Sequence, residues 1–464
     1  MRGLSAPSCE VVHDIAPPLS ERYLSEADTQ ALFERIVRLA KGGGDTTISV
    51  TSQWLGNLRW AQNRVTTGGD TRTHEVTIFR SIRGASGICA TNKLDDSSLT
   101  LALETAERIA QYHYENPDAW YPSGAQEYLQ PQLWSDDTSQ IDARQRSSIT
   151  EQLVQTVRQD DLRASGYLAI GITARSVRNT TGLSAYYTAT QAEYSVTVRN
   201  SEGTGSGWAG SKHYDWNAID PSALTTIARN KCLQSVNPKT IEPGRYTAIL
   251  EPQAVYELMN AAVSFLYREP AERDDIVYTL SPGQSKIGQK ILDSRITIST
   301  SPLDRHGEYI PFDEMGYPYR PVTWIENGVL KELSYTYRYA VEELGSAQSL
   351  PNPRAFHVHG EATSIAEMIA TTSRGLLVTR LSGTRVLDKK TLLMTGYTRD
   401  GVWLIEKGEM KYPVRNFRFQ ESPMFVFNRV MQIGPEVPVF ATPPALVPAM
   451  KVDDFHFASL ADAI

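Results

Sequence analysis

Phe356 to Ala362 reads FHVHGEA, two histidines two residues apart with Glu361 two beyond the second. Two imidazoles and a carboxylate are ligand types of a zinc site. If the stretch is a strand, residues i and i+2 point to one face, so His357 and His359 present their rings together. Two ligands are too few for a closed site. Glu361 follows a glycine turn and opens the helical pattern SIAEMIATTS, where an acidic residue favours the positive end of the helix. The two histidines are therefore expected to line a cavity and to hold no metal.

A second group of chemically capable residues is LDRHGEYIPFDEMG, with Asp304, Glu308, Asp313 and Glu314. Paired carboxylates can do acid and base work, but Asp, Glu and Gly in this density read as turn chemistry. The one His-Glu dipeptide, His74-Glu75, is followed by Ile78 and Phe79, so no HExxH or HExxxH is completed. KGGG, TTGGD and SEGTGSGWAG lack the strand and helix context of a phosphate loop, and no GxSxG elbow is present. Cys9, Cys89 and Cys232 are too far apart for a CxxC knuckle or a disulfide framework, which fits a reducing cytoplasm.

The elements that must position these residues belong to an ordinary folded chain. Its 464 residues, 41% hydrophobic and 21% charged, are enough for two or three domains with a sizeable core. A mean hydropathy of −0.34 goes with the lack of any apolar run long enough to span a membrane. The N-terminus has no signal-peptide core. A net charge of −7 without a lysine- or arginine-rich block speaks against nucleic-acid binding.

Helical spacing of Leu32, Phe33, Ile36, Val37 and Leu39, with Ser25 or Asp28 able to cap its start, predicts a first helix, ended by KGGG. Strands follow, with turns expected at TTGGD and IRGAS, and then a helix whose stripe is Leu99, Ala102, Leu103, Ala106, Ile109 and Ala110. Asn116 to Ser139 reads as an irregular connection, and the aromatic stretch YHYENPDAWYPSG, which starts just before it at Tyr112, covers a core edge or offers a partner-binding surface. The helix–strands–helix order then recurs from ARQRSSITEQL to DPSALTTIARNKCLQS. After one more helix, AVYELMNAAVSFLY, short strands dominate, and the proline-rich tail from Pro435 reads as an extended ending. The fold class is α+β: an N-terminal extension (1–24), an N-terminal α/β domain (25–115), a middle α/β domain (116–235) and a C-terminal β-rich domain with a proline-rich tail (236–464).

LRWAQNRVTTGG, the helix after ASGICATNKLDDSSL, the NTTGL turn, EPGRYTAILEPQAVYELM, FDEMGYPYRPVTWIENGVLKELSYTYRYA, and SRGLLVTRLSG followed by DGVWLIEKGEMKYPV together resemble the TldD/PmbA family. The likeness runs from about residue 25 to 455. It implies an α/β half before a β-rich half, a cytoplasmic location and a heterodimer. In that pair the TldD-like subunit is a zinc peptidase with HExxxH on a helix and a later cysteine, while the PmbA-like subunit, also called TldE, lacks the metal. Histidines one helical turn apart present imidazoles to one ion, and the glutamate can act as base on the zinc-bound water.

The matching helix here, LEPQAVYELMNAAV, offers Glu251, Pro252, Gln253, Tyr256 and Glu257 instead. No histidine lies between His213 and His306, and no cysteine follows Cys232. The resemblance therefore implies the PmbA/TldE-like member. Such a chain has no catalytic residue and no bound metal, and is inactive alone. Its partner is a TldD-like subunit carrying HExxxH and zinc, and the pair acts on unfolded peptides that His357 and His359 would help to line. Self-association is the alternative partnership. The alternative functions are a homodimeric peptide-binding or regulatory protein, to which the family's link with DNA gyrase belongs, and a hydrolase with its own site.

Overall fold

Residues 18–41, 43–112, 124–303, 310–346, 348–353, 355–442 and 445–461 are described by the computed structural model. Cys9, Asp304, His306, Glu308, Pro443, Pro444 and all but the ends of Tyr112–Gly124 lie outside them. After a short helical turn at Leu19–Arg22, helix α1 (Glu26–Leu39) starts at a capping box in which Ser25 and Asp28 satisfy each other's backbone N–H groups. Strands β1 (Asp45–Ala61), β2 (Arg64–Ile82) and β3 (Ala85–Thr91) form an antiparallel meander. Helix α2 (Asp96–Tyr112) follows and buries Leu99, Ala102, Leu103, Ala106 and Ala110 of the predicted stripe, while Ile109 is half-buried.

The same order returns with α3 (Ala143–Arg158), β4 (Leu162–Asn179), β5 (Ser184–Asn200), β6 (Ser206–His213) and α4 (Pro221–Gln234). All six strands make one sheet in the order β3-β2-β1-β4-β5-β6, with β1 and β4 antiparallel at its centre. The repetition extends to single glycines. A Cβ on Gly87 of β3 would stand 2.6 Å from Ala110 N in α2, and one on Gly207 of β6 would stand 2.6 Å from Cys232 N in α4. Each glycine lets the helix that closes its block lie directly on the last strand.

Two predicted turns fare differently. Arg83 and Gly84 turn the chain between β2 and β3 with positive φ, as IRGAS suggests. TTGGD does not turn: Thr66 to Asp70 lie inside the 19-residue β2. The β1–β2 turn is instead at Gln62 and Asn63, both with positive φ, a conformation asparagine tolerates better than most residues.

The C-terminal half is β-rich. Strand β7 (Gly244–Leu250) leads into α5 (Pro252–Ser264), whose Ala254, Val255, Leu258, Met259 and Ala262 are buried in the largest core. Short strand β8 (Ile298–Thr300), β9 (Phe356–Val358) and helix α6 (Ile365–Ala370) precede β10 (Arg374–Asp388), β11 (Leu393–Glu406), β12 (Phe417–Glu421), β13 (Val430–Val439) and β14 (Ala445–Leu460). β14 bonds to β12, β12 to β11, β11 to β10, β10 to β7 and β7 back to β14, so these strands close on themselves as a barrel.

The tail beyond Pro435 is extended, but it is no mere ending: it supplies β14, which pairs with β7, β9, β12 and β13. Helix α6 also begins later than expected, at a capping box between Ser364 and Glu367, so Glu361 lies before it. Among the described residues, no helix is long and apolar enough to cross a membrane.

Candidate functional site

The first turn of α5 stands where the resemblance puts a zinc-binding helix. Glu251 occupies the N-cap position and makes no side-chain cap bond. Its Oε2 lies 2.5 Å from Lys231 Nζ of α4. Gln253 pairs like a strand with the main chain at Phe440: its Nε2 donates to Phe440 O at 3.1 Å, and its Oε1 accepts from Phe440 N at 3.1 Å. Phe440 meets Trp208 of β6 edge-on at 5.7 Å.

Glu257, one turn further along, is held by Thr384 Oγ1 of β10 at 3.4 Å. Burial pushes its carboxyl above the usual range, against the pull of Thr384, Gln253 and Arg380. Arg380 is itself committed. Its guanidinium lies 4.5 Å over Trp208 and its Nε donates to Asp400 at 2.6 Å, where Ser206 Oγ also donates at 2.6 Å. Tyr256 stacks on Phe356 at 5.8 Å with the rings nearly parallel.

This donor set does not fit zinc. The helix offers carboxylates, an amide and a phenol, with no imidazole or thiolate, and each carboxylate already has partners within the chain. Among the described residues, no group of three or more His, Cys, Asp or Glu is placed to hold a metal ion.

His357 and His359 do share one face, with ring centroids 4.2 Å apart. β9 carries His357 between β8, where Ser299 pairs with it, and β14, where Leu446 does, and His359 follows one residue past the end of β9. His359 Nε2 is 2.9 Å from Ser299 Oγ, and His357 Nε2 is 2.9 Å from Glu436 Oε1. Glu436 also accepts Gly360 N–H, at 2.5 Å. Burial works against its charge, but that N–H and the two imidazoles outweigh it and hold the carboxyl below its usual range. Glu361 is absent from this set: its N–H donates to Gly434 O at 2.8 Å. Sequence reasoning missed Glu436, because nothing in GPEVPVF marks a residue 79 positions from His357 as its partner.

Asp313 and Glu314 sit on the wall of a cleft of about 770 Å³ whose other lining includes Tyr267, Tyr317, Tyr335 and Tyr337. Asp313 is a turn residue, its Oδ1 accepting from Met315 N at 2.8 Å and Tyr317 N at 2.9 Å. Burial raises its pKa. Glu314 lies 3.8 Å from Arg175. The two carboxylates thus serve a turn and an ion pair, and the ring stack of Tyr317 on Tyr337, 5.2 Å apart, was not foreseen. Cys232 is buried on the inner face of α4, and that burial pushes its thiol up to about 11.

Residues 243–459 match the PmbA/TldA metallopeptidase C-terminal domain. No curated protein sequence matches the chain. Among solved structures, a proposed modulator of a DNA gyrase from Thermotoga maritima superposes with a TM-score of 0.81 at 16% identity, over 92% of this chain and 99% of that one. TldE from Thermococcus kodakarensis gives 0.81 at 15%, over 92% and 99%. A proposed modulator of DNA gyrase from Bacteroides thetaiotaomicron gives 0.79 at 14%, over 94% and 100%. Residues 243–459 are therefore a C-terminal domain of the PmbA/TldD metallopeptidase family, carried on a chain with the fold of TldE and of these modulators.

Proposed function

We propose that this chain is the non-catalytic, TldE-like subunit of a cytoplasmic TldD/TldE-type zinc peptidase that acts on unfolded peptides. The observation that carries the reading is the first turn of α5, where Glu251, Gln253 and Glu257 stand in place of HExxxH and are occupied by Lys231, Phe440 and Thr384. A peptidase needs an activated water and a group that stabilises the developing oxyanion. This helix presents neither.

The zinc and the glutamate base belong, in this reading, to a TldD-like partner, and this chain completes the chamber through which peptide enters. His357 and His359 are its proposed peptide-facing residues. The TldE from Thermococcus kodakarensis, whose fold this chain has, supports the choice of subunit.

Elemental analysis of the purified chain tests the reading at its base. Well under one equivalent of zinc per chain is expected. One tightly held equivalent would overturn the non-catalytic assignment.

A further inference from the structure

The cleft of about 770 Å³ that contains Asp313 lies between the six-stranded sheet and the C-terminal half. On the sheet side it is lined by Ser86 and Ile88 of β3, which alternate with Gly87 and so point away from the helix α2 that lies on that glycine. Ile88 is 51% exposed. On the other side stand Tyr267, 43% exposed, and the stacked pair of Tyr317 and Tyr337. Apolar and aromatic side chains left open to water in a concavity of this size are the lining of a ligand site.

The charges on its wall are unequal. Among the described residues Glu269, Asp313 and Glu314 line it against one cation, Arg338. Glu269 pairs with Arg273 at 2.5 Å, Glu314 with Arg175 at 3.8 Å, and Arg338 with Glu342 at 3.0 Å. Asp313 has no ion pair within the described chain. Its Oδ1 takes both N–H groups of the turn, and no hydrogen bond reaches its Oδ2. Burial raises its pKa by more than the turn N–H groups and Arg175 lower it, and Glu314 adds to the rise. Arg175 itself lines a separate cleft of about 430 Å³. A carboxylate held out of water beside tyrosine rings, with one oxygen unpaired and no cation on it, is completed by a cation from outside.

We infer that this cleft receives an arginine or lysine side chain of an extended peptide, its aliphatic stem along Ile88 and the tyrosine rings and its cationic head on Asp313. The two parts of the cleft match the two parts of such a side chain. A long basic residue packs its stem on apolar surface and keeps its head for a polar partner, and a charged donor on a carboxylate makes the stronger kind of hydrogen bond. The inference rests on the peptide-handling reading above for the backbone attached to that side chain, and it uses neither zinc nor the partner subunit.

The test is fluorescence anisotropy on the purified chain at about 0.15 M salt, where long-range attraction is screened. The probe is a labelled glycine-serine peptide carrying two arginines, beside the same peptide with neutral citrulline in their place. The arginine peptide should bind about tenfold tighter or more. Asp313→Asn, whose side-chain oxygen still accepts the turn N–H groups, should abolish that preference with the melting temperature kept, while Glu104→Gln on the exposed face of α2 should leave it intact. Equal binding of the two peptides overturns the inference, as does a preference that survives Asp313→Asn. Free agmatine, which has the head and stem without the backbone, should bind about tenfold more weakly than the peptide. Equal binding would assign the cleft to a small cation and also overturn the inference. If Asp313→Asn fails to fold, Tyr267→Ala decides: it should weaken the arginine peptide by about threefold or more, and an unchanged affinity overturns the inference. Zinc content separates the two readings, because a zinc-free chain without the arginine preference removes this inference alone, and a zinc-bearing chain that shows it removes the subunit assignment alone.

Discussion

At the scale of single residues, the histidine pair shows how a metal-like spacing becomes part of an ordinary polar network with Ser299 and Glu436. His357 in β9 and His359 just beyond it share a face, but the carboxylate beside His357 is Glu436 from β13, not Glu361. Replacing both histidines by alanine removes one partner of a carboxylate whose side chain is 36% exposed. Water can take over, so the melting temperature should fall little, whereas a fully buried pair would cost about 1–3 kcal/mol for each group left unsatisfied.

Glu436 also makes a pH prediction. Its pKa is lowered in the folded chain, so its contribution is present above the ordinary glutamate value of about 4.3 and drains away as pH falls through the lower folded value. Glu436→Gln should therefore cost stability at neutral pH and flatten the loss of stability between roughly pH 5 and 3. Urea titrations at several pH values read this directly. A variant with the same pH profile as the parent chain would remove Glu436 from the account.

At the scale of elements, local signals and long-range pairing competed, and the outcome differed from place to place. Helices α1 to α5 were legible because each carries an apolar stripe at helical spacing, most with a capping residue before it. TTGGD was not, because two glycines give a strong turn signal that the 19-residue ladder of β2 on β1 overrides. The tail misled for a similar reason. Pro435 falls at the irregularity between Ile433 and Glu436, and Pro438 and Pro448 are accommodated in the β13–β14 pair, so prolines that read as a coil are built into a ladder.

The recurring helix-on-glycine contact yields a sharper test of the duplicated design. Gly87→Ala and Gly207→Ala each push a methyl against the backbone of α2 or α4. Each should destabilise by about 1–3 kcal/mol, the usual range for overpacking. Gly69→Ala, in open space, should change stability by less than about 0.5 kcal/mol. Equal melting temperatures for all three variants would show that the glycines do not set the helix positions.

At the scale of the whole molecule, the chain is a doubled α/β sheet joined to a closed barrel, and the family likeness was readable because ordered motifs lie in both parts, LRWAQNRVTTGG in the sheet and DGVWLIEKGEMKYPV in the barrel. What the sequence could not carry was the set of partners around α5: Lys231, Thr384 and Phe440 reach it from three distant segments. They matter because they turn the residues in place of HExxxH inward. The most direct measurement is cleavage of an unstructured peptide by this chain alone and by its complex with an HExxxH-containing TldD-type homologue. The chain alone should be inert. The complex should cleave, should lose cleavage when the homologue's HExxxH glutamate is changed, and should keep it when Glu257→Gln is made here. Loss of turnover on Glu257→Gln with the complex still assembled would place the active site in this subunit and contradict the account.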